Sequence, residues 1–430
     1  MSFTEQNLVP NAGLLPAAVL AQRIGLADLV DQRLHLAQHG ANSGAKASTV
    51  IGSMLAGGDS IDDTAVLRAG AAGELFDATR APSTIGSWLR AHKWSNVRQL
   101  DAVSRELLAR LWTAGAGPTD LAGPLTIDLD SSIVPVYGRA KQGAAFGYTK
   151  VRGYHPQFAT CAQTGMVLFS RLRGGSAGAA RGAKSFLTET VSRVRDAGAT
   201  GQLTVRADSA FYSRAVLGTA VKLGVEFSVT ARQDKKIRAA IEAIEEEAWA
   251  PIPYWLSTPE VSGADVAETS YTAFSGKDAI TVRLVVRRIR PTPGSQLALF
   301  TTWDYHAVTN RPGDVLEIEA DHRRHAVVEQ RIAELKSAAL AHLPSGKFMA
   351  NAAWLALAVM AHNIARAVGR LAGPDLEKAT ASTLQRRVFT VPGRLVHSRR
   401  RRHLRLPASW PWASAIAQAL TTIQAIPLRC

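Results

Sequence analysis

LTIDLDSS, residues 125–132, places two aspartates in a segment whose apolar residues alternate. Leu125, Ile127 and Leu129 interleave with Thr126, Asp128 and Asp130, the period-two pattern of a strand, so both carboxylates should project to one face. Burying two like charges side by side is costly unless a metal ion or cationic partners compensate. The stretch therefore predicts a strand that carries chemistry.

Working outward, GYHPQFATCAQTGMVLFSRLR (153–173) reads as a hairpin turning near Thr164-Gly165. A Gly-rich turn leads to an amphipathic helix over about 184–196, then the strand LTVRAD (203–208), a helix near 213–222 and the strand VEFSVTA (225–231). Three early strands followed by helix, strand, helix, strand predict a mixed α/β sheet with covered faces, in the order of a ribonuclease H-like core. From 233 to 312 a charged helix (235–248) precedes β-branched and aromatic runs, which read as an inserted β-rich subdomain. Its Trp255 and Trp303 suit either core packing or stacking on an unpaired base. Helices return from about 315 to 370.

Upstream, residues 1–118 read as helices without a strand. SIDDTAVLRAG (60–70) and APSTIGSWLRAHKW (81–94) form two short helical patterns. The second carries Ser87, Arg90, His92 and Lys93, which suit a helix in a DNA groove or simple helical packing equally. The expected division is a helical DNA-binding domain (1–118), a first core part (119–232), the β-rich insertion (233–312), a second core part (313–372) and a basic region (373–430). No Asp or Glu follows Glu377. RRVFTVPGRLVHSRRRRHLR (386–405) holds Arg386, Arg387, Arg394, Arg399, Arg400, Arg401, Arg402 and Arg405, interleaved with apolar residues and unbalanced by acids. Such a run predicts contact with nucleic-acid phosphates, which supplies affinity without sequence choice.

Composition agrees. A net charge of +15 and a pI near 10.2 favour a polyanionic partner over a membrane surface. Two cysteines, Cys161 and Cys430, exclude a disulfide framework and a cysteine-based zinc finger. The apolar segment AAWLALAVMAHNIA (352–365) reads as too short to span a bilayer and is interrupted by His362 and Asn363. The expectation is a cytoplasmic, nucleoid-associated protein with no membrane contact.

Three acids stand out. Asp130 lies inside the first strand, Asp208 ends LTVRAD, and Glu329 lies on HRRHAVVEQRIAELK (322–336). Read as one helix, that last segment places His322, His325, Glu329 and Lys336 within roughly a 60° sector. Val328, Ile332, Leu335 and Ala339 form the adjacent apolar stripe. Carboxylates in such a set suit Mg²⁺, a hard cation taking oxygen ligands. Nearby Lys and His can hold phosphates. Individually, Asp208 could be a helix cap and Glu329 a surface charge.

IDLDSSIVPVYG with GYHP downstream, VRADSAFYS, and HRRHAVVEQRIAELK resemble the matching passages of DDE transposases of bacterial insertion sequences. The branch is the one with a β-strand insertion in the catalytic core, and the likeness runs from about 121 to 365. It implies that the Asp-Asp-Glu triad falls on Asp130, Asp208 and Glu329, holding Mg²⁺ or Mn²⁺, two ions in all. The 120 residues between Asp208 and Glu329 agree with the insertion. The branch's helical signature is Tyr, two residues, Arg, three residues, Glu, six residues, Lys. Glu329 and Lys336 match it, while His322 and His325 replace the Tyr and Arg. Histidine donates to a phosphate less reliably than arginine at neutral pH, yet His322, His325 and Lys336 remain the expected supporting phosphate contacts.

The resemblance implies metal-dependent DNA cleavage and strand transfer at terminal inverted repeats, by a homodimer on double-stranded DNA. Alternatives are a catalytically inactive transposase-derived DNA-binding protein or repressor, and a stand-alone ribonuclease H-like nuclease. It also separates the two aspartates of the first strand. Asp130, followed by Ser-Ser as the family's first acid is by small hydroxyl residues, is the expected metal ligand. Asp128, ~7 Å back along the strand, reads as a structural acid suited to pairing with an arginine.

Overall fold

The computed structural model describes residues 2–76, 79–147, 149–253, 257–299, 303–398 and 401–429. LTIDLDS forms β1 (Leu125–Ser131), third from one edge of a nine-stranded sheet. The hairpin becomes β2 (Gln157–Cys161) and β3 (Val167–Arg171), turning at Gly165, whose φ of 68° suits a residue without a Cβ. Next come β4 (Leu203–Ala207) and β5 (Glu226–Thr230). β2 runs antiparallel to β1 and to β3, whereas β4 is parallel to both β1 and β5. Helices Ala183–Asp196 and Arg214–Lys222 make the crossovers that parallel strands require. β1, β4 and β5 are buried strands, which explains their largely apolar sequences.

The β-rich segment contributes β6 (Ala250–Pro251), β7 (Val261–Ala273), β8 (Ile280–Pro291) and β9 (Trp303–Thr309). The strand order is β6-β7-β8-β9-β5-β4-β1-β2-β3. The insertion thus continues the core sheet instead of forming a sheet of its own, because β9 pairs antiparallel with the otherwise open edge of β5. Trp255 lies outside the described residues, as does the side chain of Trp303.

The helix Phe348–Leu371 runs through the middle of the molecule. Its 24 residues are long and apolar enough to cross a membrane by length and composition, which corrects the reading of 352–365 as too short. In the fold it is a core element, 89% buried over its most apolar window. Three of its polar residues clamp the β2–β3 hairpin. Asn363 accepts from the Val167 N–H and donates to the Val167 carbonyl, both at 2.8 Å, as a neighbouring strand would. His362 Nε2 donates to the Gly165 carbonyl at 2.9 Å, and Arg366 Nε donates to Thr164 O at 3.1 Å.

Residues 12–116 are mainly helical, as expected, but they share one continuous core with the sheet. Helices Ser43–Leu55 and Trp94–Leu111 pack on the central helix, and so does the C-terminal helix Ala413–Gln424. The expected groove-reading helix is Pro82–Arg90. Its Trp88 is wholly buried, and His92 just beyond is buried too, with Nδ1 donating to the Trp88 carbonyl at 3.0 Å. His92 is therefore a core residue, which favours the packing reading. A strand also exists in this region: Leu8–Val9 pairs antiparallel with β10 (Gly393–Ser398), which pairs with β11 (Arg401–Arg405). The basic run is thus partly a folded ribbon.

Two predictions follow from this packing. Asn363→Ala removes both partners of the Val167 peptide and should cost about 1–3 kcal/mol, read by urea denaturation. Burial lowers His92 and His362 from 6.5 to about 4, so both are neutral in the fold. They take up protons on unfolding, so stability present above pH 6.5 should fall as the pH drops toward about 4, as a melting series would show.

Candidate active site

The register of β1 and β4 sets Asp128 beside Arg206, a residue that sequence reasoning alone did not single out. Arg206 Nε donates to Asp128 Oδ1 at 2.7 Å and Nη2 to Oδ2 at 2.9 Å, a bidentate pair with both side chains about 96–97% buried. The remaining arm, Nη1, donates to Asp321 Oδ1 at 3.0 Å, near the end of the helix Val315–Arg323. Asp321 in turn accepts from Arg311. His325 Nδ1 donates to Asp128 Oδ1 at 2.9 Å. Burial alone would raise the Asp128 pKa, but the hydrogen bonds and charge of His325 and Arg206 hold it below the usual carboxylate range. Asp128 is a neutralised, structural acid.

Asp130 is two residues further along the strand and has a different environment. Its Oδ1 accepts from the Ser131 N–H at 2.6 Å. Burial first, and then the charges of Asp208 and Glu329, push its pKa up to about 6 against the opposing effects of Ser131 and His325. Asp208 follows β4 and caps the short turn Ser209–Phe211, accepting from the Ala210 N–H at 3.1 Å. Burial raises its pKa too, while the Ala210 hydrogen bond and the His325 and Arg232 charges oppose the rise. It is both a cap and a member of the acidic group.

Glu329 is exposed on the helix Val327–Lys336, whose buried face is Val328, Ile332 and Leu335. That face is the apolar stripe expected, with Ala339 also buried. Lys336 Nζ donates to Ser132 Oγ at 3.1 Å, fastening the end of this helix beside the end of β1. The helix does not extend back to 322. A 3₁₀ turn, Arg324–Ala326, with right-handed helical backbone on both sides, joins it to Val315–Arg323. His322, near the end of that preceding helix, is in the core. Its Nδ1 lies 2.6 Å from Ser228 Oγ and its Nε2 3.2 Å from Thr230 Oγ1, both on β5. Burial and the neighbouring His325 and Arg206 charges keep its pKa well below normal. The expectation of a phosphate contact at His322 is corrected: a neutral, enclosed imidazole is not placed for it. His325, in the turn, reaches Asp128 instead.

The arginines of the tail separate into three groups. Arg387 stacks over Trp412, 4.7 Å from its ring centre, and Arg386 shares the same short helical turn. Arg394, Arg401, Arg402 and Arg405 are exposed on β10 and β11. Arg399 and Arg400 lie outside the described residues.

Asp130, Asp208 and Glu329 supply hard carboxylate oxygens of the kind Mg²⁺ or Mn²⁺ takes. Among the described residues, no three His, Cys, Asp or Glu side chains stand close enough to enclose a metal ion. The donor chemistry nonetheless fits a divalent cation. Arg206 is committed to Asp128 and Asp321, while burial and the charges of Asp208 and Glu329 raise the Asp130 pKa. Arg206 had one sequence signal: an arginine inside the apolar strand LTVRA, in phase with Asp208.

Removing one partner of a buried pair strands the other charge. Arg206→Met should therefore cost about 3–5 kcal/mol. Adding Asp128→Leu should recover part of that loss in chemical denaturation, because no unpaired carboxylate is left at that position.

No curated protein matches the chain. Among solved structures, a piggyBac transposase synaptic complex with hairpin DNA, determined by cryo-electron microscopy, matches 88% of this chain and 79% of its own. The identity is 12% and the TM-score 0.42, too loose a likeness to carry an argument here. The matching family model is the one described as transposase DDE domain group 1, and it spans residues 1–428. A match of that extent decides the family: the chain belongs to the transposase DDE domain group 1 proteins.

Proposed function

We propose that this protein is a DNA transposase of a bacterial insertion sequence, cleaving and joining DNA strands at terminal inverted repeats. The observation that carries the proposal is the family match over residues 1–428. The electrostatic coupling of Asp130 to Asp208 and Glu329 supports the assignment of these three as the catalytic acids. The strand order β3-β2-β1-β4-β5, with β4 parallel to β1 and β5, supports a ribonuclease H-like core.

In this reading Asp130, Asp208 and Glu329 would hold two Mg²⁺ or Mn²⁺ ions. Bound divalent ions would supply charge stabilisation for in-line displacement at phosphorus. The chain's own contribution is positioning. Asp128 and Arg206 fix β1 against β4, so Asp130 and Asp208 emerge at a set separation. Lys336, bonded to Ser132, holds the Glu329 helix beside them. His325, bonded to Asp128 through Nδ1, would stand near the approach of a DNA phosphate. The partner is double-stranded DNA, both repeat ends and target, engaged by a homodimer. The protein would act in the cytoplasm at the nucleoid, without membrane contact.

A second reading, an inactive DNA-binding derivative, is favoured by one observation: the enclosed His322 replaces the tyrosine of the helical signature. Cleavage and strand-transfer assays with inverted-repeat DNA and Mg²⁺ or Mn²⁺ separate the readings. End joining supports the transposase, cleavage without joining a nuclease, and binding without cleavage the inactive derivative.

Asp130→Asn, Asp208→Asn and Glu329→Gln should each reduce cleavage to background while retaining DNA binding in a mobility-shift assay. Asp128→Asn should instead lower the melting temperature and leave measurable cleavage at a temperature where the variant is folded.

A further inference from the structure

The basic run between Gly393 and Arg405 is a ribbon with two unlike faces. β10 and β11 pair in the register Arg394 with Arg405, Leu395 with Leu404, Val396 with His403, His397 with Arg402 and Ser398 with Arg401. Residues opposite one another share a face, and the faces alternate along the strands. Leu395 and Leu404 turn inward onto a small core of Val9, Ala12, Ala71 and Ala72. On that side His397 Nε2 pairs with Glu74 at 3.2 Å, and Arg402 Nη1 donates to the Glu74 carbonyl at 3.3 Å.

The outer face carries Arg394, Arg405, Val396, His403, Ser398 and Arg401, all exposed except the half-buried Val396. Arg394 sits directly across from Arg405, an arrangement that destabilises an isolated strand pair. Glu5 offsets it in part, 3.3 Å from Arg394. Among the described residues no ion pair is found for Arg401 or Arg405. The short strand Leu8–Val9 pairs with Arg394 and Gly393, and the Leu395 N–H donates to the Asn7 carbonyl at 2.8 Å, so beyond Leu395 the described ribbon is two-stranded.

We propose that this outer face is a duplex-DNA-binding surface, with the two-stranded end of the ribbon seated in the major groove and Arg394 and Arg405 on the phosphates at its rim. The proposal rests on the transposase reading for its partner and adds where the duplex is held. A two-stranded antiparallel ribbon fits the major groove of B-form DNA, which is about 12 Å wide. Cross-strand arginines that share the single acid Glu5 keep excess positive charge complementary to phosphates, and Ser398, Arg401 and His403 bring donors to base edges while Val396 offers an apolar surface. The helix Pro82–Arg90 is a weaker candidate, since Trp88 and the adjoining His92 are committed to the core. The inner face fastens the ribbon to residues 9–74, so the duplex would be held at a fixed position relative to the rest of the molecule.

The test uses the full chain and a fluorescent mixed-sequence duplex, read by anisotropy across a salt series. The variant is R394A/R401A/R405A, with R394K/R401K/R405K as the charge-conserving control; unchanged circular dichroism and melting show that each is folded. The alanine variant should bind about tenfold or more weakly, and its salt slope should fall by about 2, at about 0.9 for each of the two phosphates that Arg394 and Arg405 no longer neutralise. The lysine variant should keep the slope. Guanine N7 methylation should interfere with wild-type binding at a group of positions to which the alanine variant is indifferent. Equal affinity and slope in the alanine variant would overturn the proposal while leaving the DNA reading intact. An interference pattern unchanged by the variant would remove the ribbon from the major groove. Loss of binding to phosphatidylglycerol vesicles with DNA binding preserved would assign the face to a membrane instead. Wild-type protein that binds no duplex at all would overturn the underlying DNA reading as well.

Discussion

The pair of Asp128 and Arg206 is the interaction on which the site depends. Two charges taken out of water cost several kcal/mol each unless geometry and further hydrogen bonds compensate. Here the compensation is unusually full: Asp128 receives Arg206 by two arms and His325 by a third donor, while the spare arm of Arg206 goes to Asp321. One buried cluster thereby joins β1, β4, the helix Val315–Arg323 and the turn before the Glu329 helix. It also gives the two aspartates of that strand different surroundings. The local cations are spent on Asp128, and Asp130 is left with raised proton affinity beside Asp208 and Glu329.

A second constraint is the central helix Phe348–Leu371. Its apolar surface is covered by N-terminal helices, the sheet and the C-terminal helix, and three of its polar residues, His362, Asn363 and Arg366, bond the β2–β3 turn. That arrangement places residues far apart in sequence in one core. The two ends of the chain are joined as well, through Leu8–Val9 and β10. The helical region and the basic run are therefore held in fixed relation to the acids, as parts of one packed body.

Much of this was legible before the fold was known. The alternation in LTIDLD, the hairpin at Gly165, the two crossovers and the apolar stripe of Val328, Ile332 and Leu335 are local patterns, and each became the expected element. The misreadings share a cause. The segment 322–336 stays helical through a 3₁₀ turn, and its periodicity could not show that His325 reaches Asp128 on another element. His322 looked like a surface donor because nothing nearby in sequence announces Ser228 and Thr230. The β-rich segment looked separate because pairing with β5 is a choice between distant strands, and the basic run looked like a tail because Leu8–Val9 and Glu74 lie more than three hundred residues away.

The sequence by itself determined the strands and helices of the core, the basic balance of the chain and the three acids that match a transposase signature, because side-chain periodicity and residue type are local properties. Only the tertiary structure decided which aspartate is neutralised, which histidine is enclosed, where the insertion joins the sheet and which side of the arginine ribbon meets solvent. Those outcomes follow from strand register and from the partners that register brings within hydrogen-bond distance. A shift of one residue between β1 and β4 would exchange Arg206 for a neighbour and leave Asp128 a buried charge without its arginine.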